Sequence, residues 1–104
     1  MIALVEEKRH ELEALCRRFN VRQLDLFGSA ARGGFDAVRS DLDFVVQFEA
    51  LDQGEHGRAY FGLLLALQDL FERDVDLVIL SSVQNPYLLE EILETRRVVY
   101  AAAA

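Results

Sequence analysis

Asp41-Leu42-Asp43-Phe44-Val45-Val46-Gln47-Phe48 sets Leu42, Phe44, Val46 and Phe48 in alternation with Asp41, Asp43, Val45 and Gln47. A period of two predicts a β-strand with the apolar set on one face and both carboxylates on the other. An apolar strand has no structural need of two acids, so their face is a candidate for chemistry. Asp74-Val75-Asp76-Leu77-Val78-Ile79-Leu80 reads the same way, with Val75, Leu77 and Ile79 on one side and Asp74, Asp76, Val78 and Leu80 on the other. On adjacent strands Asp76 can face the pair at 41 and 43.

Outward from these two runs the chain alternates helical and extended patterns. From Ile2 to Phe19, Val5, Leu12, Leu15, Cys16 and Phe19 recur at helical spacing opposite a charged face, predicting one amphipathic helix. Gln23 to Phe27 is a short strand that runs into Gly28, where the lack of a side chain permits a sharp turn. The segment Gly33 to Arg39 reads as a loop. A helix is expected from about Glu55 to Glu72; its apolar stripe, from Tyr60 to Phe71, is wider than one buried side requires, so the helix is either sandwiched or meets a partner. Asn85 before Pro86 is a helix start leading through Leu88, Leu89, Ile92 and Leu93 toward Arg96 and Arg97, and Val98 to Tyr100 suits a final edge strand. The order predicts an α/β fold, a small mixed sheet whose helices cover one face.

At 104 residues the chain fits one domain, expected over residues 1–100, with Ala101 to Ala104 as a tail or cloning scar. A composition of 52% hydrophobic and 28% charged residues is that of a folded globular protein. The formal charge of -7 and the lack of a Lys/Arg cluster make nucleic acid a poor default partner. No apolar run is long enough to span a membrane and no leader pattern opens the chain, so a cytoplasmic location is expected. Cys16 falls in the buried register of its helix and reads as a core thiol. Asp25 and Asp74 read as solvated strand acids, His10 and His56 as surface residues, and Tyr87 and Tyr100 as packing residues.

Carboxylates at i and i+2 of a strand lie about 6–7 Å apart on one face, which suits a pair of divalent ions. A third acid from a neighbouring strand supplies the remaining negative charge, and Asp76 is the candidate. Two Mg2+ ions are expected at Asp41, Asp43 and Asp76, because zinc favours His or Cys and the residues His10, His56 and Cys16 have no ligand spacing. Backbone N–H groups at Gly28-Ser29, opening a short helix through Ala30 and Ala31, suit phosphate oxygens, and Arg32 lies one turn on to offset their charge. No Gly-Lys-Ser/Thr follows, so this is not a Walker loop. A lone Gly-Ser is a common turn and a lone Asp-x-Asp is commonly a solvated strand face; their joint occurrence with a third aspartate carries the reading.

Gly28-Ser29-Ala30-Ala31-Arg32-Gly33, then Ser40-Asp41-Leu42-Asp43, then Val75-Asp76-Leu77-Val78 resembles the minimal nucleotidyltransferase family of the polymerase-beta superfamily over roughly residues 20 to 80. The resemblance implies a mixed sheet flanked by helices. It makes Asp41 and Asp43 ligands of both ions, Asp76 the third acid that helps deprotonate the nucleophile, and Gly28 and Ser29 the triphosphate grip. Eleven residues separate Ser29 from Asp41, one more than the family's usual spacing, which lengthens the loop around Gly34 to Arg39. Members of this size are commonly antitoxins that move AMP from ATP to a tyrosine of a helical HEPN ribonuclease toxin. The resemblance therefore implies Mg2+, ATP as substrate and a HEPN-type partner. The alternative is a non-catalytic antitoxin that occludes its partner. A transferase acting on RNA or a small molecule fits the acidic balance and single domain less well.

Overall fold

The computed structural model describes residues 3–32, 41–52 and 54–103. In chain order these form α1 (Ala3–Glu7), α2 (Arg9–Arg18), β1 (Val21–Phe27), α3 (Ser29–Arg32), β2 (Leu42–Phe48), α4 (Glu55–Phe71), β3 (Val75–Ile79), a 3-10 turn (Leu80–Ser82), α5 (Pro86–Thr95) and β4 (Arg97–Ala101). The expected loop from Gly33 to Arg39, with Ser40, lies outside the described residues.

The sheet runs β3-β2-β1-β4. β1 is antiparallel to both β2 and β4, while β2 and β3 are parallel and joined through α4, the crossover a parallel pair requires. The mixed α/β sheet expected from the sequence is present. Leu24, Leu26, Leu42, Phe44, Val46, Val75, Leu77 and Val99 project from one face into a core closed by Val5, Leu12 and Cys16 of α1 and α2 and by Leu63, Leu67 and Phe71 of α4. Phe44 stacks on Phe71 with ring centroids 6.0 Å apart. Burial in this layer pushes the Cys16 thiol up to about 12, consistent with an inert core thiol.

Helices cover both faces, not one. Ile92 of α5 packs on Phe27 and Val45 on the opposite side of the sheet, with Val78, Leu80, Val83 and Leu88 around them. The start of α5 follows expectation: Asn85 Oδ1 accepts from the N–H groups of Tyr87 and Leu88, and Pro86 occupies the first turn. The covered face also explains Asp25, which is 1% exposed and not solvated. Its carboxylate accepts two hydrogen bonds from Gln23 Nε2 and lies 3.8 Å from Arg96 Nη1, so the buried charge is partnered.

Other departures from the periodicity have local causes. The first helix breaks at Lys8, yet Val5, Leu12 and Cys16 keep one buried stripe across the break, and Arg9 donates to the Val99 carbonyl of β4 at 3.1 Å and to Glu6. The final strand reaches Ala101, and the Ala102 N–H donates to the Arg22 carbonyl at 2.8 Å, so sheet pairing extends into the expected tail. Tyr87, expected to pack, is exposed. Among the described residues no helix is long and apolar enough to cross a membrane.

α4 buries Ala59, Leu63, Leu67 and Phe71 and turns Phe61 (62% exposed) and Leu65 (64% exposed) to solvent, so its wide stripe is only partly used by the core. Gly62 lets this helix meet the Phe19 ring: a Cβ there would lie 2.4 Å from Phe19 Cε1. Helix propensity alone favours Gly62→Ala by up to about 1 kcal/mol, but the overlap is expected to reverse the sign to a net loss of about 1–3 kcal/mol. Urea denaturation measures it, and a variant more stable than the parent would contradict this packing.

Candidate active site

The functional side chains gather where three strands meet the underside of α5. Phe27 pairs with Asp43, and Asp43 with Asp76, so one row crosses β1, β2 and β3 with its side chains on a single face. The residue after Phe27 is Gly28, and Asp41 stands immediately before β2, exposed, two residues from Asp43. Asp43 and Asp76 are thus brought to one face at one end of the parallel pair, with Asp41 near enough for its charge to act on Asp43. Arg39, in the loop before them, lies outside the described residues.

The Asp43 and Asp76 carboxyl groups face each other across the paired strands, close enough for Asp76 to favour the protonated form of Asp43. Burial, followed by the contact with Asp76 and the nearby charges of Glu91 and Asp41, pushes the Asp43 carboxyl up from its ordinary 3.8 to about 7. Glu91, on α5, is a fourth acid at this site. Asp74, which shares the face of Asp76 in the sequence pattern, is exposed, as expected.

Gly28 has φ +71°, and a Cβ there would lie 2.7 Å from Asp43 Oδ2 and 3.6 Å from Glu91 Oε1. Both the backbone conformation and the close approach of the acid require glycine. The Gly28 N–H donates to Thr95 Oγ1 at 3.0 Å, and that hydroxyl donates in turn to the Glu91 carbonyl at 2.7 Å. The Gly28 amide, expected to meet phosphate, is therefore engaged by Thr95. α3 starts at Ser29, the Arg32 N–H closes its turn on the Gly28 carbonyl at 3.1 Å, and Arg32 Nη1 lies 3.9 Å from Glu91 Oε1. That pair is half-exposed and long, so it contributes little stability while keeping a cation beside the acids.

A cleft of about 460 Å³ wraps the β3 edge of the sheet, lined by Asp43, Asp76 and Glu91 and by apolar side chains from both faces, Leu88 of α5 and Tyr60 and Leu64 of α4. The Tyr60 hydroxyl donates to the Leu77 carbonyl of β3 at 2.6 Å. Among the described residues no three His, Cys, Asp or Glu side chains close around a single ion. The donor set nevertheless fits magnesium. The groups are all carboxylate oxygens, two already in contact and crowded enough to hold a proton, and such an ion takes few protein oxygens and fills its shell with water and phosphate. Sequence reasoning missed Glu91 and Thr95. Their one available signal was position, since both fall on the inward stripe of α5 with Leu88 and Ile92.

Two expectations follow from this geometry. Gly28→Ala places a methyl group against Asp43 and holds alanine in the left-handed region; a loss of about 1–2 kcal/mol in thermal denaturation is expected, and a parental value would contradict the close approach. Because the folded protein favours protonated Asp43, the stability this group contributes is present below its ordinary 3.8 and is lost as pH rises through about 7. Without metal, Asp43→Asn is therefore expected to be more stable than the parent at pH 8, with the advantage fading toward pH 4. A variant equally stable or less stable at pH 8 would show that Asp43 is not crowded.

The mixed sheet thus brings Asp43 and a facing aspartate together beside the Gly28-Ser29 turn. The family model for the nucleotidyltransferase domain matches residues 9–99, and the chain belongs to that family. Two proteins of Methanocaldococcus jannaschii assigned as protein adenylyltransferases are similar to it. One is 31% identical over 83% of this chain and 84% of its own length. The other is 34% identical over the same shares, 83% and 84%. Among solved structures, a minimal nucleotidyltransferase superposes with a TM-score of 0.73 at 32% identity, covering 92% of this chain and 95% of its own. A toxin–antitoxin structure with AMP-PNP has a TM-score of 0.66 at 24% identity, covering 90% of this chain and 73% of that one. A complex of a tri-AMPylated Shewanella oneidensis HEPN toxin with its MNT antitoxin has a TM-score of 0.63 at 22% identity, covering 93% and 72%. The last two likenesses are of fold.

Proposed function

We propose that this nucleotidyltransferase moves AMP from ATP to a hydroxyl group, a tyrosine's, on a HEPN-type toxin and thereby acts as its antitoxin. The observation that carries the reading is the contact of Asp43 with Asp76 across the parallel β2–β3 pair, with Asp41 beside it. The two archaeal relatives assigned as protein adenylyltransferases support the class of acceptor. The shared fold of the toxin–antitoxin complexes supports the partner, and the AMP-PNP in one of them supports the donor.

Asp41 and Asp43 would hold two magnesium ions, with Asp76 completing the set; bound there, the ions neutralise the triphosphate and lower the pKa of the attacking hydroxyl. Ser29, through its hydroxyl and N–H, and Arg32, through its guanidinium, contact the phosphates and keep the α-phosphorus over the acids. The acceptor oxygen bonds to the α-phosphorus as the bond to the bridging oxygen breaks, and pyrophosphate leaves. Asp76 would take the acceptor's proton, a role its exposure on the edge strand supports.

Incubation with α-labelled ATP, Mg2+ and the HEPN partner tests this. Wild type is expected to label the partner, and Asp41→Asn with Asp43→Asn to lose at least about 100-fold in rate; equal labelling by the double variant would overturn the assignment. The exposed Phe61 and Leu65 of α4 keep a second reading in play, a non-catalytic antitoxin that occludes its partner. Neutralisation that survives loss of both aspartates would favour it.

A further inference from the structure

The geometry points to Thr95 as a positioning residue that sets the nucleotide site from behind, by locking the Gly28 turn to α5. This rests on the reading that the turn serves a bound nucleotide. Thr95 is 7% exposed, and its hydroxyl is used twice, accepting from the Gly28 N–H at 3.0 Å and donating to the Glu91 carbonyl at 2.7 Å. The first bond spans 67 residues of chain and ties the end of β1 to the end of α5.

Three features make this bond one that positions as well as stabilises. Gly28 is the residue whose missing Cβ brings the turn against Asp43, so the orientation of its peptide decides the distance between turn and acid. Ser29 and Arg32 follow immediately in α3, which closes its turn on the Gly28 carbonyl, so the phosphate-facing groups inherit that orientation. The Gly28 amide is buried, and without the hydroxyl it would be left unpaired unless the turn rotated to find another acceptor. Such a rotation would carry Ser29 and Arg32 away from Asp43 and Glu91 while leaving Asp43 and Asp76 on their strands. Thr95 touches neither nucleotide nor acceptor in this account; it acts through the turn.

A group that only places phosphate contacts affects ground state and transition state alike, and therefore moves KM more than kcat. Thr95→Val keeps the shape of the side chain and removes the hydroxyl; Thr95→Ser keeps the hydroxyl. In folded protein, Thr95→Val is expected to raise the KM for Mg-ATP about five-fold or more with kcat within about two-fold, and Thr95→Ser to restore the wild-type KM. A wild-type KM in folded Thr95→Val would overturn the inference, as would a fall in kcat alone. If Thr95→Val does not fold, amide exchange in the wild-type protein decides. The Gly28 amide is expected to be protected without nucleotide and to stay protected when Mg-AMP-PNP binds, and exchange at an open-loop rate would overturn the assignment. If Asp41→Asn with Asp43→Asn labels the partner normally, the transfer reading fails, while Thr95's effect on AMP-PNP affinity is still measured by calorimetry.

Discussion

Two acids held in contact across a parallel strand pair are the constraint around which this molecule is arranged. Asp43 and Asp76 are in register on β2 and β3, and their common face is the one α5 covers. Water would ordinarily separate such groups. Here burial and neighbouring carboxylates raise the proton affinity of Asp43 instead, so the unliganded fold carries an electrostatic cost. Under the proposed function, cations and a polyphosphate would relieve that cost and so stabilise the fold on binding.

The rest of the architecture is divided between sustaining that crowding and making it accessible. The large apolar layer of α1, α2 and α4 lies on the far face of the sheet, so the strands are fixed without filling the space above the acids. On the near face Ile92, with Phe27 and Val45, seats α5, and α5 then delivers Glu91 and Thr95 to the turn at Gly28. β3 is an edge strand, which leaves Asp76 exposed and places the 460 Å³ cleft along the rim of the sheet. Membership of the nucleotidyltransferase domain family accords with this division, a rigid sheet beneath and an open acidic cleft above.

Much of this was legible in sequence because strands announce themselves with a period of two. The alternation at 41–48 and 74–80 placed both acids of the first run on one face and allowed Asp76 to join them, and the structure pairs Asp43 with Asp76 there. Helical periodicity carried less. It found the buried stripe of α2 but not the break at Lys8, and it could not say that α5 lies on the opposite face from α4. Glu91 and Thr95 were invisible for the same reason: a polar residue on a short helix reads as solvated until its neighbours are known. Asp25 illustrates the same limit on a strand, where the long-range approach of Arg96 joins the local bonds from Gln23 in making a buried acid tolerable. Gly28 was recognised as a turn, but its stronger reason, a carboxylate where a Cβ would be, depends on contacts between distant segments.

The most direct test is a 13C NMR titration of the Asp43 side-chain carboxyl in metal-free protein, repeated in Asp76→Asn. The account predicts a midpoint near 7 in the parent, lowered in the variant as the facing acid is removed and lowered in the parent when Mg2+ is added. An Asp43 carboxyl that titrates in the ordinary carboxylate range, with no response to either change, would contradict it.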